Sequence, residues 1–200
     1  MKYIIPLLIA VLLITGCSPA GKVISSECEL IEDSSDKDDC YVKLAASTMN
    51  QDYCKTIKDS KTVDYCYEEI AVASKDLDTC NLIKSRYWLD ICYKRVAEET
   101  LNPSPCFVLI STYDKNNCFD FIGKATKDYA LCKEISDIEM SDKCIKEIAY
   151  AAEDPNICSR MAVEISRYLC YANMALKLDD PEICKSIPVE SMQEKCLENV

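Results

Sequence analysis

Histidine is absent from all 200 residues, and the chain holds only three glycines and one tryptophan. Without histidine it lacks the commonest general base, the commonest transition-metal ligand and the axial ligand of most haems. A serine or cysteine nucleophile activated by histidine is therefore excluded. Gly16, Gly21 and Gly123 are too few and too scattered to cradle a phosphate, and no G-x-S-x-G motif occurs. Positive charge is also in the minority: 23 Lys and Arg stand against 34 Asp and Glu, for a net charge of −11. Such a surface repels DNA, RNA and anionic headgroups, so no nucleic acid is expected as a partner. Carboxylate pairs such as Glu68-Glu69 and Asp179-Asp180 read as solvated faces on a chain this acidic. Together these absences argue against an enzyme.

Cysteine, by contrast, is abundant. Fourteen of the 15 cysteines fall at Cys28, Cys40, Cys54, Cys66, Cys80, Cys92, Cys106, Cys118, Cys132, Cys144, Cys158, Cys170, Cys184 and Cys196. The gaps alternate 12 and 14 without a slip, which makes a 26-residue repeat present seven times. Zinc and iron–sulfur sites usually include a close pair such as C-x₂-C, and none exists here; no metal or other cofactor is expected. The remaining reading is a disulfide framework outside the cytosol. Pairing across the 12-residue gaps uses all fourteen cysteines, whereas pairing across the 14-residue gaps strands Cys28 and Cys196. The first scheme is expected: Cys28–Cys40 through Cys184–Cys196.

Residues 1–16 read as an export signal: Lys2, then an apolar run from Ile4 to Ile14 too short to span a bilayer as a helix. The sequence Leu13-Ile14-Thr15-Gly16-Cys17 follows. It resembles the lipobox of prokaryotic lipoproteins, with an aliphatic residue, a small residue and glycine ahead of the cysteine. That resemblance implies cleavage before Cys17 and a diacylglycerol on its thiol, hence anchoring to a membrane at the cell envelope or surface. An ordinary secretory signal beside an unrelated cysteine is the alternative. Residues 17–27 form a short polar tether, and residues 28–200 carry the repeats.

Within each repeat, apolar residues recur at spacings of three and four, the helical period. Ile31, Ile57, Ile83, Leu109, Ile135, Met161 and Ile187 lie three residues after the first cysteine. Leu44, Ile70, Val96, Ile122, Ile148, Met174 and Val200 lie four after the second. Asn50, Asp76, Asn102, Asp128, Asp154 and Asp180 each stand four residues ahead of a first cysteine, three of them followed by proline. Asn or Asp at N-cap with Pro at N1 marks a helix start. A calcium ladder is the competing reading, but calcium loops need several carboxylates close together. A continuous helix would hold cysteines twelve residues apart at roughly 18 Å, while a disulfide needs Cα atoms about 5.5 Å apart. A turn is therefore expected near Asp33, Asp59, Ser85, Ser111, Asp137 and Pro188, with Asp or Ser capping the second arm. The predicted fold is all-α: a solenoid of seven 26-residue disulfide-stapled helical hairpins.

Tandem helical hairpins with a regular cysteine pair resemble the cysteine-rich Sel1-like proteins of some bacteria and, more distantly, tetratricopeptide arrays. The resemblance is architectural and spans Cys28 to Val200. It implies a curved α/α solenoid whose inner surface binds other molecules.

The candidate binding feature is a row of rings one residue after the second cysteine: Tyr41, Tyr67, Tyr93, Phe119 and Tyr171. Asp38, Asp64, Asp90, Asn116 and Asp142 lie three residues earlier, near the same side of the helix. An aromatic and acidic stripe of this kind suits a protein or peptide partner of basic character, or a cationic ligand. The competing reading is that the rings fill the seam between hairpins, because Ile145 and Leu197 occupy the same place. Trp88 has no repeat equivalent and fits either local binding or packing. The expected role is a noncatalytic protein- or peptide-binding scaffold of the cell envelope, with a purely structural surface spacer as the first alternative and an enzyme of unfamiliar type as the second.

Overall fold

The computed structural model describes residues 25–200. The export signal, Cys17 and most of the tether lie outside the described residues. Seven long helices follow one another: α1 (Ser34–Thr48), α2 (Ser60–Ser74), α3 (Arg86–Thr100), α4 (Thr112–Thr126), α5 (Ile138–Ala152), α6 (Glu164–Leu178) and α7 (Glu190–Asn199). A short helical segment of three to six residues precedes each: Ser25–Glu29, Cys54–Thr56, Leu77–Cys80, Ser104–Val108, Tyr129–Cys132, Pro155–Arg160 and Pro181–Ser186. No strand occurs among the described residues. The protein is an all-α solenoid of seven 26-residue units, each with its own disulfide.

All seven bridges join cysteines twelve apart, from Cys28–Cys40 to Cys184–Cys196, with Cα–Cα distances of 5.5 to 5.8 Å. Thirteen of these cysteines are buried; Cys40 is half-buried. Seven bridges in one chain point to an oxidising, extracytoplasmic compartment. No helix among the described residues is long and apolar enough to cross a membrane.

The hairpin arms are unequal, and this corrects the expected pair of helices. The first arm is a 3-10 segment or one turn of α-helix, because the chain must reverse within a few residues of the first cysteine to bring the second into reach. In the first unit that arm reaches back to Ser25, three residues into the segment assigned to the tether. The caps fall where the sequence places them. Asp76, Asp128, Asp154 and Asp180 each accept the N–H two residues on, at 2.9 to 3.0 Å, and Asn50 and Asn102 do the same at 3.0 and 3.1 Å. These oxygens are engaged with backbone, which is capping and not a calcium ladder. Asp33, Asp59, Ser111 and Asp137 likewise cap α1, α2, α4 and α5, whereas Ser85, Val163 and Val189 stand at the same position with no side-chain cap bond.

Every long helix that another unit follows ends on a left-handed residue, and none of the six is glycine. Met49, Lys75, Leu101, Lys127, Glu153 and Asp179 have φ between 51° and 56°. The next N–H then reaches back five residues, as from Asp76 to the carbonyl of Ala71 at 2.9 Å and from Asp180 to Ala175 at 3.0 Å. This is the Schellman closure. One Asn or Asp per unit thus has two tasks: its N–H closes one helix and its side chain opens the next segment. Left-handed geometry costs an L-residue about 1–2 kcal/mol, partly offset by the larger unfolded-state freedom of glycine. Lys75→Gly is therefore expected to stabilise the protein by up to about 1 kcal/mol, read as a higher denaturation midpoint at unchanged m-value.

The units stack so that each long helix packs on the next, and each short segment packs on its own helix and the preceding one. Ile57, Ile83, Leu109, Ile135, Met161 and Ile187 are buried there with Leu44, Ile70, Val96, Ile122, Ile148 and Met174. The small row Ala45, Ala71, Ala97, Gly123, Ala149 and Ala175 is fully buried. At Gly123 an added Cβ would meet the carbonyl oxygen of Asp128 at 3.2 Å, which shows how closely the next segment presses on this row.

Candidate functional site

The ring row and the acidic row occupy the joints between units. Tyr41, Phe119 and Tyr171 are buried, and Tyr67 and Tyr93 are half-buried. Three of the rings meet the residue twelve positions earlier, which also follows a bridged cysteine. Tyr41 donates its hydroxyl to Glu29, Tyr93 donates to Asn81 at 2.6 Å, and Phe119 meets Phe107 edge-on at 4.8 Å. The bond to Glu29 and burial push the Tyr41 hydroxyl up to about 12. Trp88 is half-buried against Tyr65 and Tyr87, both at 5.6 Å.

The acidic row grips backbone. Asp142 accepts the N–H groups of Ala162 at 2.7 Å and Val163 at 2.9 Å. Asp64 takes Lys84 and Ser85 at 2.9 and 3.0 Å, and Asp90 takes Ile110 and Ser111 at 3.1 and 2.9 Å. Asp38 reaches Lys58 and Asp59 more loosely, and Asn116 accepts from Ser136 through both its N–H and its hydroxyl. Each carboxylate therefore holds the two N–H groups that lead into the next long helix, twenty and twenty-one residues along. The donors are the orphan groups at a helix start, with partners supplied by the neighbouring unit. With the acids engaged this way and three of the five rings buried, the two rows do not make an open stripe.

The surface left open is the outward face of the long helices, carried by side chains seven, eleven, fourteen to fifteen and eighteen residues after each first cysteine. The spacings of three and four keep them on one side. Because successive helices lie side by side, shallow grooves run between them. Comparison with protein-family models, with curated proteins and with solved structures returned no match. The chemistry of this face must be read from its own side chains.

Its first half is ionic. Arg95 on α3 bonds both Glu68 and Glu69 on α2, the latter at 2.7 Å. Lys94 approaches Asp114 at 3.6 Å, and Lys124 bridges Asp120 at 2.8 Å and Glu147 at 2.6 Å. The charges thus form a ladder from α2 to α5. Glu68 departs from the solvated face expected of the Glu68-Glu69 pair: it is 0% exposed, and its Oε2 has no hydrogen-bond partner. Burial pushes its carboxyl above the ordinary value of 4.5, and Arg95 opposes the rise. Burial also raises Glu98. A carboxyl whose pKa is higher folded than unfolded contributes stability below its unfolded value and loses it as pH rises through the folded one. Glu68→Gln removes this titration. The stability difference between variant and wild type is expected to shift toward the variant between pH 4.5 and pH 7, measured by urea unfolding at both.

The second half is apolar. On α6, Ile165, Leu169 and Leu176 are 52%, 51% and 58% exposed. Tyr113 and Phe121 on α4 are also exposed and line a groove against α3 with Lys94 and Glu98. The repeat does not fix these side chains: the equivalent positions are polar in some units, as at Lys61, Asn117 and Lys195, and apolar or aromatic in others, as at Tyr65, Tyr87 and Ile91. Among the described residues no group of three or more Cys, Asp or Glu is placed to hold a metal.

Proposed function

We propose that the protein is a lipid-anchored, extracytoplasmic repeat scaffold of the cell envelope that binds a protein or peptide partner and performs no chemistry itself. The observation that carries the binding role is the exposed apolar row on the long-helix face. With about half of each side chain left in water, these residues cost solubility for little burial within the stack, which is the pattern of an interaction surface. The absence of histidine supports a noncatalytic role. The lipobox-like Leu13-Ile14-Thr15-Gly16-Cys17 supports the anchor, since two or three acyl chains hold a protein firmly to a bilayer.

A structural spacer is the second reading. It is favoured by the fact that every side chain strictly tied to the 26-residue period serves the stack: cystines, caps, backbone grips and small residues. The two separate by cross-linking in intact producing cells, with a photoreactive residue placed on the long-helix face or on the opposite one. A binding scaffold yields a discrete adduct from the long-helix face alone; a spacer yields none from either. For the anchor, Cys17→Ala is expected to move the protein from the membrane to the soluble fraction.

A further inference from the structure

The strongest unassigned feature is the surface of α6 with the grooves on either side of it. Ile165, Leu169 and Leu176 stand at i, i+4 and i+11, a stripe about 16 Å long at 1.5 Å per residue. A groove of about 500 Å³ separates α6 from α5 and carries Lys143 and Lys146 on its α5 wall. A second, of about 300 Å³, separates α6 from α7 and carries Met192 and Lys195. Lys143 and Lys195 are exposed and Lys146 half-buried. Among the described residues none of the three pairs with a carboxylate, unlike Lys94, Lys124 and Lys177. Of the acids in these walls, Asp142 is committed to the backbone of Ala162 and Val163, which leaves Glu139. On a chain of net charge −11, this strip is locally basic, and its apolar centre is flanked by lysine on both sides.

We propose that the α6 face receives an amphipathic helix whose apolar edge is bordered by aspartate or glutamate. The proposal rests on the binding-scaffold reading and names the partner's chemistry, which is acidic and not basic at this face. An apolar ridge between two grooves is the shape that ridges-into-grooves packing of a further helix requires, and the three lysines supply charge complementarity along its edges. Two other occupants fit less well. A second copy placed stripe to stripe sets lysine rims against lysine rims. An anionic bilayer would meet not only this strip but the acid-rich surface around it, while a single helix lying along α6 meets the strip alone.

The test uses the purified protein and two fluorescent 18-residue helical peptides with the same leucine edge, one flanked by glutamate and one by lysine. Three rim pairs at the usual strength of exposed ion pairs, changed from attraction to repulsion, separate the peptides by about tenfold or more in Kd. The glutamate peptide is expected to bind more tightly, with the preference fading as salt is raised. Leu169→Glu, at an exposed position that leaves the core intact, is expected to abolish binding. The double variant Lys143→Glu, Lys146→Glu is expected to reverse the preference. Equal binding of the two peptides, no binding of either, a dimer that Leu169→Glu dissolves, or stronger adsorption to phosphatidylglycerol vesicles than to the glutamate peptide would each overturn the proposal. In producing cells, an adduct formed through a photoreactive residue at Tyr113 and not at Leu169 would leave the scaffold reading standing and remove this surface from it.

Discussion

Replacing Cys132 with serine lowers the unfolding free energy by about 3 kcal/mol, the chain-entropy value for so short a closed loop. The Cys132–Cys144 bridge is buried and joins the short segment Tyr129–Cys132 to α5 in the middle of the array. A 26-residue unit cannot fold alone, so its stability lies in the bridge and in contacts with its neighbours. Loss of the bridge weakens unit five and, through it, the coupling of units four and six. Urea unfolding should show both a lower midpoint and a smaller apparent m-value, because the array stops melting as one body. The freed Cys144 is fully buried, so it should react with a thiol reagent slowly in buffer and fast in denaturant.

Replacing Asp142 with alanine costs a comparable amount. The substitution removes the acceptor of two N–H groups, Ala162 at 2.7 Å and Val163 at 2.9 Å, of which Ala162 is exposed and Val163 half-buried. A hydrogen bond to a charged acceptor contributes about 1.5–3 kcal/mol, and water at the more open amide recovers part of the loss, for a total of roughly 3 kcal/mol. Asp142→Asn should cost less, since the side-chain oxygen of Asn116 at the equivalent place still accepts from Ser136 at 3.1 Å. Hydrogen exchange gives the local readout: the amides of Ala162 and Val163 should lose protection in the alanine variant while those inside α5 keep theirs. No loss in either variant would mean that the grip contributes little, and an equal loss in both would mean that an amide oxygen cannot replace the carboxylate.

Much of the architecture was legible in the sequence because its signals are local and repeated. The unbroken alternation of cysteine gaps specifies both the period and the pairing, since only one scheme leaves no cysteine over. Asn and Asp ahead of each first cysteine announce a cap by chemistry that works wherever the motif stands. The length of the first arm was not legible, because twelve residues at helical spacing do not say where the turn divides them. Nor were the helix ends. Met49, Lys75, Leu101, Lys127, Glu153 and Asp179 share a backbone conformation but no side-chain character, and the usual glycine signal is absent.

The candidate site was harder to read for a different reason. Asp142 and Ile145 lie three apart on one helix, as do Asp38 and Tyr41, which the sequence shows. What each carboxylate meets is a pair of amides twenty residues further on, which depends on how the units stack. Glu68 and Glu69 are neighbours in sequence but point about 100° apart on a helix, so one is buried while the other reaches the groove against α1. The apolar face of α6 is written in the sequence as Ile165, Leu169 and Leu176, but it stands at positions whose residue type the repeat does not fix. A reading organised by periodicity looks past such residues, and they are the ones left exposed.

The central claim is that each unit closes on itself through its own cystine, and peptide mapping of the native protein without reduction tests it most directly. The account predicts seven linked pairs, Cys28–Cys40, Cys54–Cys66, Cys80–Cys92, Cys106–Cys118, Cys132–Cys144, Cys158–Cys170 and Cys184–Cys196, with no free thiol among these fourteen. Recovery of Cys40 linked to Cys54, or of unmodified thiols in the native array, would contradict it.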